Sequence, residues 1–123
     1  MIEKYFIGLE DSLTFFKDII KDYNIEKKIY SNLQGYIKIE ISFINGYFLK
    51  VIEVKDIEIK GKIKYGYHFM DDKNNLIFRY DNAEHFKNIA TFPHHKHTIN
   101  DVEETDEPEF FDIMMIIFKQ IVK

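Results

Sequence analysis

Residues 91 to 97 read Thr-Phe-Pro-His-His-Lys-His, so three of the chain's five histidines, His94, His95 and His97, stand within four positions of one another. An imidazole exchanges its proton near neutral pH, at about 6.5 in an unperturbed ring, so two of them can serve as base and acid in one reaction. Together with His68, Arg79, His85 and Lys96 they form a set suited to phosphodiester cleavage without metal. One imidazole takes the proton of a ribose 2′-OH, another protonates the leaving oxygen, and an arginine or lysine holds the phosphate charge. The candidate catalytic residues are His68, Arg79, Asp81, His94, His95 and His97, with Asp81 orienting a histidine. The candidate nucleic-acid contacts are Arg79, His85 and Lys96.

The same residues allow two other readings. In the plainer one, His68 and Arg79 form a cross-strand polar pair and the remaining histidines are solvated on a loop. In the other they bind a metal: on an extended chain His95 and His97 point to one side and His94 to the other, and two imidazoles with His68 or His85 could close a tetrahedral or open site. Asp81 or the acids of residues 101–109 could add a carboxylate. No HExxH, no helix-spaced pair and no 2-His-1-carboxylate pattern is visible along the sequence. Neither a metal nor another cofactor is therefore expected. A histidine-rich loop that binds metal or a partner belongs to the alternative, a non-enzymatic binding module.

The charge distribution favours a local anionic partner over a generally basic protein. The net charge is −4, yet residues 61–100 carry six Lys/Arg against four Asp/Glu and all five histidines, and residues 101–110 carry six acids and no base. The acidic run could fold back on the basic one and occupy its anion site, or simply be a solvated connection into a helix. The chain has no cysteine, which excludes disulfides and thiolate ligands. No apolar run approaches the about 20 residues that span a bilayer, and the N-terminus lacks a signal peptide's basic start and apolar core. A soluble, cytoplasmic protein with no membrane partner is expected.

These residues must be positioned by one domain, residues 1–123, since 123 residues can build one core and not two. Leu9, Leu13, Phe16, Ile20 and Tyr23 recur at helical spacing and predict a helix over 9–22. Ile37, Ile39, Ile41 and Phe43 alternate with polar residues as a strand, and Asn45-Gly46 predicts a type I′ hairpin into a second strand from Tyr47. Glu53 and Lys55 interrupt the apolar face of that strand before Ile57 and Ile59, which suggests a bulge or twist near Val54. Gly61 turns the chain into a third strand over 63–69, and Asp72 to Asn75 turn it into a fourth over 76–81. A four-residue loop there sets Phe69 against Phe78, Tyr67 against Tyr80 and His68 against Arg79, separating an aromatic face from a polar one.

Residues 82–105 show no pattern and read as a long irregular loop that carries the histidines. A C-terminal helix is predicted over 107–121, and its apolar residues from Phe110 to Val122 wrap nearly all sides. It must be covered twice, by the sheet and by the N-terminal helix or a partner chain. The predicted fold is α+β: an antiparallel meander of at least four strands packed by N- and C-terminal helices.

Residues 65–97 carry a resemblance. Tyr-His at 67–68, Leu-Ile-Phe-Arg at 76–79, Asp-Asn-Ala at 81–83, His85, and Phe-Pro-His-His-Lys-His at 92–97, followed by an acidic stretch and a terminal helix, resemble the TumE family of small toxins from prokaryotic toxin–antitoxin pairs. The family tends to have Pro and paired histidines after Asp-Asn-Ala. Here Glu84, His85 and Phe86 stand instead, so no role passes to a histidine at 86. The resemblance implies the growth-inhibiting half of an operon pair whose partner is a small helix-turn-helix antitoxin. RNA as a target follows from the histidine chemistry and not from the resemblance. A homodimer through the C-terminal helix is the further expectation.

Overall fold

The computed structural model describes residues 1–83 and 93–123, so His85 and the rest of 84–92 lie outside the described residues. The chain runs through α1 (Ile2–Phe15), a 3-10 turn (Lys17–Ile19), β1 (Ile20–Ile29), β2 (Gln34–Phe43), β3 (Phe48–Asp56), β4 (Lys64–Met70), β5 (Leu76–Asp81), β6 (His95–His97), β7 (Val102–Glu104) and α2 (Phe110–Ile121). The seven strands form one sheet in chain order, each antiparallel to the next. This is the expected α+β meander between terminal helices, lengthened by one strand before the expected four and two after them.

Both helices lie on one face of the sheet. Ile2, Phe6, Leu9 and Leu13 are the buried stripe of α1, set against the inward residues Ile37, Ile39, Ile41, Leu49, Val51, Tyr67 and Phe69. Gly35 lies under that contact: a Cβ there would come within 2.9 Å of Phe6 Cε2. The helix starts seven residues earlier than its predicted stripe and ends before Ile20. Ile20 and Tyr23 fit a helical period, but they pair with Phe43 and Ile41 of β2, and the backbone ladder of a ten-residue strand overrides that local fit.

The Phe43–Tyr47 hairpin is built on three loop residues. Gly46 alone has a positive φ, +90°, and its N–H bonds the carbonyl of Phe43, so the turn is of type I with a left-handed glycine and not type I′. No bulge occurs near Val54. The β2–β3 register is continuous from Gln34–Asp56 to Ser42–Phe48, which keeps Glu53 in phase with Leu49 and Val51, facing inward. Between β4 and β5 the predicted pairs Tyr67–Tyr80, His68–Arg79 and Phe69–Phe78 all form. Asp71 and Asn75 close the turn through Asn74 at φ 65°, and the register then shifts by one beyond Met70–Leu76 to reach those pairs.

Helix α2 begins at Phe110 and not at 107, because Glu109 is its N-cap and completes a capping box with Asp112. Phe110, Ile113, Met114 and Ile117 are buried. On the second side Phe111 meets Phe15 and Phe16, and Phe118 meets Phe16, so α1 supplies the second cover. Phe15 and Phe111 remain 68% and 40% exposed at this junction. Among the described residues no helix is long and apolar enough to cross a membrane.

Candidate functional site

The face of the sheet opposite the helices carries the polar residues of each alternating strand. Across it, one cross-strand row reads Lys50, His68, Arg79, His97, and the next reads Ile52, Gly66, Asp81, His95, Glu104. The segment expected to be a loop thus forms a strand, β6, that adds to β5. The acidic run folds back on it as β7, which sets Glu104 opposite His95.

Arg79, Asp81, His95 and His97 meet where β5 and β6 run side by side. The Arg79 Nε donates to Asp81 Oδ2 at 2.8 Å, and Arg79 Nη2 lies 2.9 Å from His97 Nε2. A guanidinium has only donors, so that His97 nitrogen must accept with its lone pair. His95 Nδ1 is 2.9 Å from the carbonyl of Pro93, which can only accept, so Nδ1 carries hydrogen. Its Nε2 faces Asp81 Oδ1 at 2.6 Å, and His97 Nε2 lies 3.6 Å from Asp81 Oδ2. Asp81 is the hub of the group, within reach of Arg79, His95 and His97.

A concavity of about 310 Å³ opens beside Arg79 and Asp81, lined also by Ile52, Lys64, Gly66 and Asn82. Gly66 keeps it open: an added Cβ there would meet nothing within 4 Å. His68 stands in the row with Arg79 and Lys50, and its pKa is lowered by burial first, then by the charges of those two residues. It is therefore held in the neutral form that can take a proton. Gly66→Val should fill the concavity without straining the backbone. We expect it to cut activity by about 10-fold or more while leaving the melting temperature unchanged or slightly raised, since valine suits a strand better than glycine. Growth assays beside a thermal melt would check this, and undiminished toxicity would remove the concavity from the site.

His94 and Lys96 do not join the group, because alternation along β6 turns them to the helix side. His94 Nδ1 is 2.9 Å from the Tyr65 hydroxyl with the rings stacked, and it borders a second pocket with Lys60, Gly61, Glu107 and Glu109. Lys96 Nζ sits 5.4 Å above the Tyr80 ring. His85 lies outside the described residues.

Sequence reasoning missed a buried polar cluster on the helix side. Glu53 is fully buried and accepts hydrogen bonds from the Tyr5 and Tyr67 hydroxyls. Lys62, with its side chain 2% exposed, pairs with Glu107 at 3.2 Å and Glu109 at 3.7 Å and donates to the Pro108 carbonyl at 2.8 Å. Burial raises the Glu53 pKa against the opposing effects of Lys62 and the two tyrosines. The available signal was a carboxylate in strict phase with Leu49 and Val51, which a buried strand face tolerates only where donors meet it.

An open antiparallel sheet with helices on one face and a histidine, arginine and aspartate group on the other defines a small α+β protein with one exposed polar sheet face. The model of the family described as Toxin TumE matches residues 9–123, and the chain belongs to that toxin family. Family membership implies a cognate antitoxin as partner. No curated protein and no solved structure gives a match.

Proposed function

We propose that this toxin cleaves RNA on the open face of its sheet by acid–base chemistry that needs no metal. The observation that supports this reading is the meeting of Arg79, Asp81, His95 and His97 beside an open concavity, with His68 next in the row. His68, held neutral, takes the 2′-OH proton as that oxygen attacks phosphorus. As the phosphate draws Arg79 away from His97, Nε2 of that ring takes up a proton and then gives it to the departing 5′-oxygen, while Arg79 with Lys64 or Lys50 balances the charge on the phosphoryl oxygens. The products are a 2′,3′-cyclic phosphate and a free 5′-hydroxyl. His95 is 1% exposed, too buried to touch RNA, and acts by holding Asp81 in place. His94 and Lys96, on the other face, take no part.

Action on cellular RNA places the protein in the cytoplasm. The exposed pair Phe15 and Phe111, in contact with each other, supports a protein partner at the α1–α2 junction, which we read as a helix-turn-helix antitoxin and not a second copy of the chain. Light scattering of the isolated chain should therefore give a monomer mass, and a doubled mass would favour the homodimer through α2.

Purified protein, made in the presence of its antitoxin and freed of it, should cut an in vitro transcript in excess EDTA to fragments ending in cyclic phosphate. Its induction alone should stop bacterial growth with loss of total RNA integrity. Arrest with intact RNA, or normal growth from well-folded protein, would discard cleavage and leave the non-enzymatic binding module.

A further inference from the structure

The group of Asp81, His95 and His97 has a second property, independent of RNA. We infer that it is a binding site for a divalent transition-metal ion of the zinc class, in which the Arg79 guanidinium stands where the ion would sit. Each residue offers one ligand atom, and these atoms lie within 4.8 Å of one another. The imidazole nitrogens reach different oxygens of the carboxylate, His95 Nε2 to Oδ1 at 2.6 Å and His97 Nε2 to Oδ2 at 3.6 Å, separations on the scale of the roughly 3.3 Å between ligand atoms of a tetrahedral ion with bonds of about 2.0–2.1 Å.

The tautomers point the same way. His95 uses Nδ1–H on the Pro93 carbonyl, the outer contact typical of a metal-bound imidazole, which turns the lone pair of the neutral ring at Nε2 toward Asp81. His97 likewise directs the lone pair of Nε2 into the group, where a cationic side chain now holds it. Two imidazoles and one carboxylate on adjacent strands leave further coordination positions open toward the concavity. Arg79, with its side chain 38% exposed, can swing out to solvent and yield its place.

The competition with Arg79 makes a signature that an incidental histidine cluster lacks. Equilibrium dialysis of untagged protein against zinc chloride should give one ion per chain. Asp81→Asn and His97→Ala should each weaken binding at least about 10-fold, and Arg79→Ala should strengthen it several-fold. His94→Ala, on the other face, should keep the wild-type affinity. Circular dichroism of each variant establishes that it is folded. Less than about a tenth of an ion per chain in wild type and in Arg79→Ala, or binding indifferent to Asp81 and His97, would overturn the inference. Because the readout is binding and not cleavage, its failure leaves the ribonuclease reading untouched, and failure of cleavage leaves the metal site measurable. If the ribonuclease reading holds, the ligand atoms are also those used in proton transfer, and a bound ion blocks the reaction.

Discussion

Arg79→Ala will abolish growth arrest and lower RNA cleavage by about 100- to 1000-fold, the loss expected when a positioned charge is removed from a site where negative charge develops. The fold will survive. The Arg79 side chain is 38% exposed, so its pair with Asp81 contributes at most about 1 kcal/mol, and the melting temperature should move by only a few degrees. Arg79→Lys should fall between. It keeps the charge, but its donors sit on one nitrogen and lack the planar fork that lets Nε and Nη2 of the guanidinium reach Asp81 and His97 separately. His68→Ala should also stop growth arrest with little change in melting temperature, because the ring lies on the helix-free face. Growth curves, gel analysis of total RNA and thermal melts of the same preparations decide the matter. Toxicity equal to wild type in Arg79→Ala would end the assignment, and loss of folding would make Arg79 structural.

The part of this site that was legible in the sequence is the part built on strands long enough to alternate. β4 and β5 showed period two in Tyr65, Tyr67, Phe69 and Phe78, Tyr80, so the facing of His68 and Arg79 followed from requiring aromatic residues to share a face. The split of His95 and His97 from His94 followed from alternation alone. What could not be read was the strand itself. β6 and β7 are three residues each, shorter than any window in which a period can be seen, and β6 exists because β5 offers it an edge to pair with. The 2-His-1-carboxylate group was invisible for the same reason, since its carboxylate comes from the neighbouring strand. β1 was lost in another way: Ile20 and Tyr23 satisfy a helical spacing, and only the long-range pairing with β2 decides between the two forms.

The acidic run illustrates both outcomes. Its return onto the basic segment was one of two expectations, and it does return, as β7 against β6 and as Glu107 against Lys62. Glu107 lies where the helix was expected to start, yet the helix begins after Glu109, and Glu107 is spent on a lysine 45 positions away.

Glu53 is where local logic failed most completely, and its replacement carries the largest expected effect on stability. A carboxylate within an apolar strand face reads as a fault in the strand. In the folded chain it is instead the acceptor for two buried tyrosine hydroxyls, Tyr5 from α1 and Tyr67 from β4, and it therefore ties the N-terminal helix to the sheet. Glu53→Ala leaves both hydroxyls without that acceptor and opens a cavity. We expect a loss of about 3–5 kcal/mol, a fall in melting temperature on the order of 10–20 °C for a chain of this size.

Glu53→Gln keeps the shape and one carbonyl acceptor, so its loss should be about 1–2 kcal/mol, and it makes a second, sharper prediction. The Glu53 pKa is raised in the folded state, chiefly by burial, so over the window that opens at the ordinary value of 4.5 and extends upward the folded chain holds a proton that the unfolded chain has released. Stability from this residue consequently falls as pH rises through that window. Glutamine cannot titrate, and the variant's stability should be flatter with pH there, narrowing the gap to wild type as pH rises. Urea unfolding of both proteins at a series of pH values measures the slopes directly. Parallel curves would mean that Glu53 exchanges no proton on folding, and a glutamine variant as unstable as the alanine one would mean that the charge itself, not the hydrogen-bonded shape, holds α1 to the sheet.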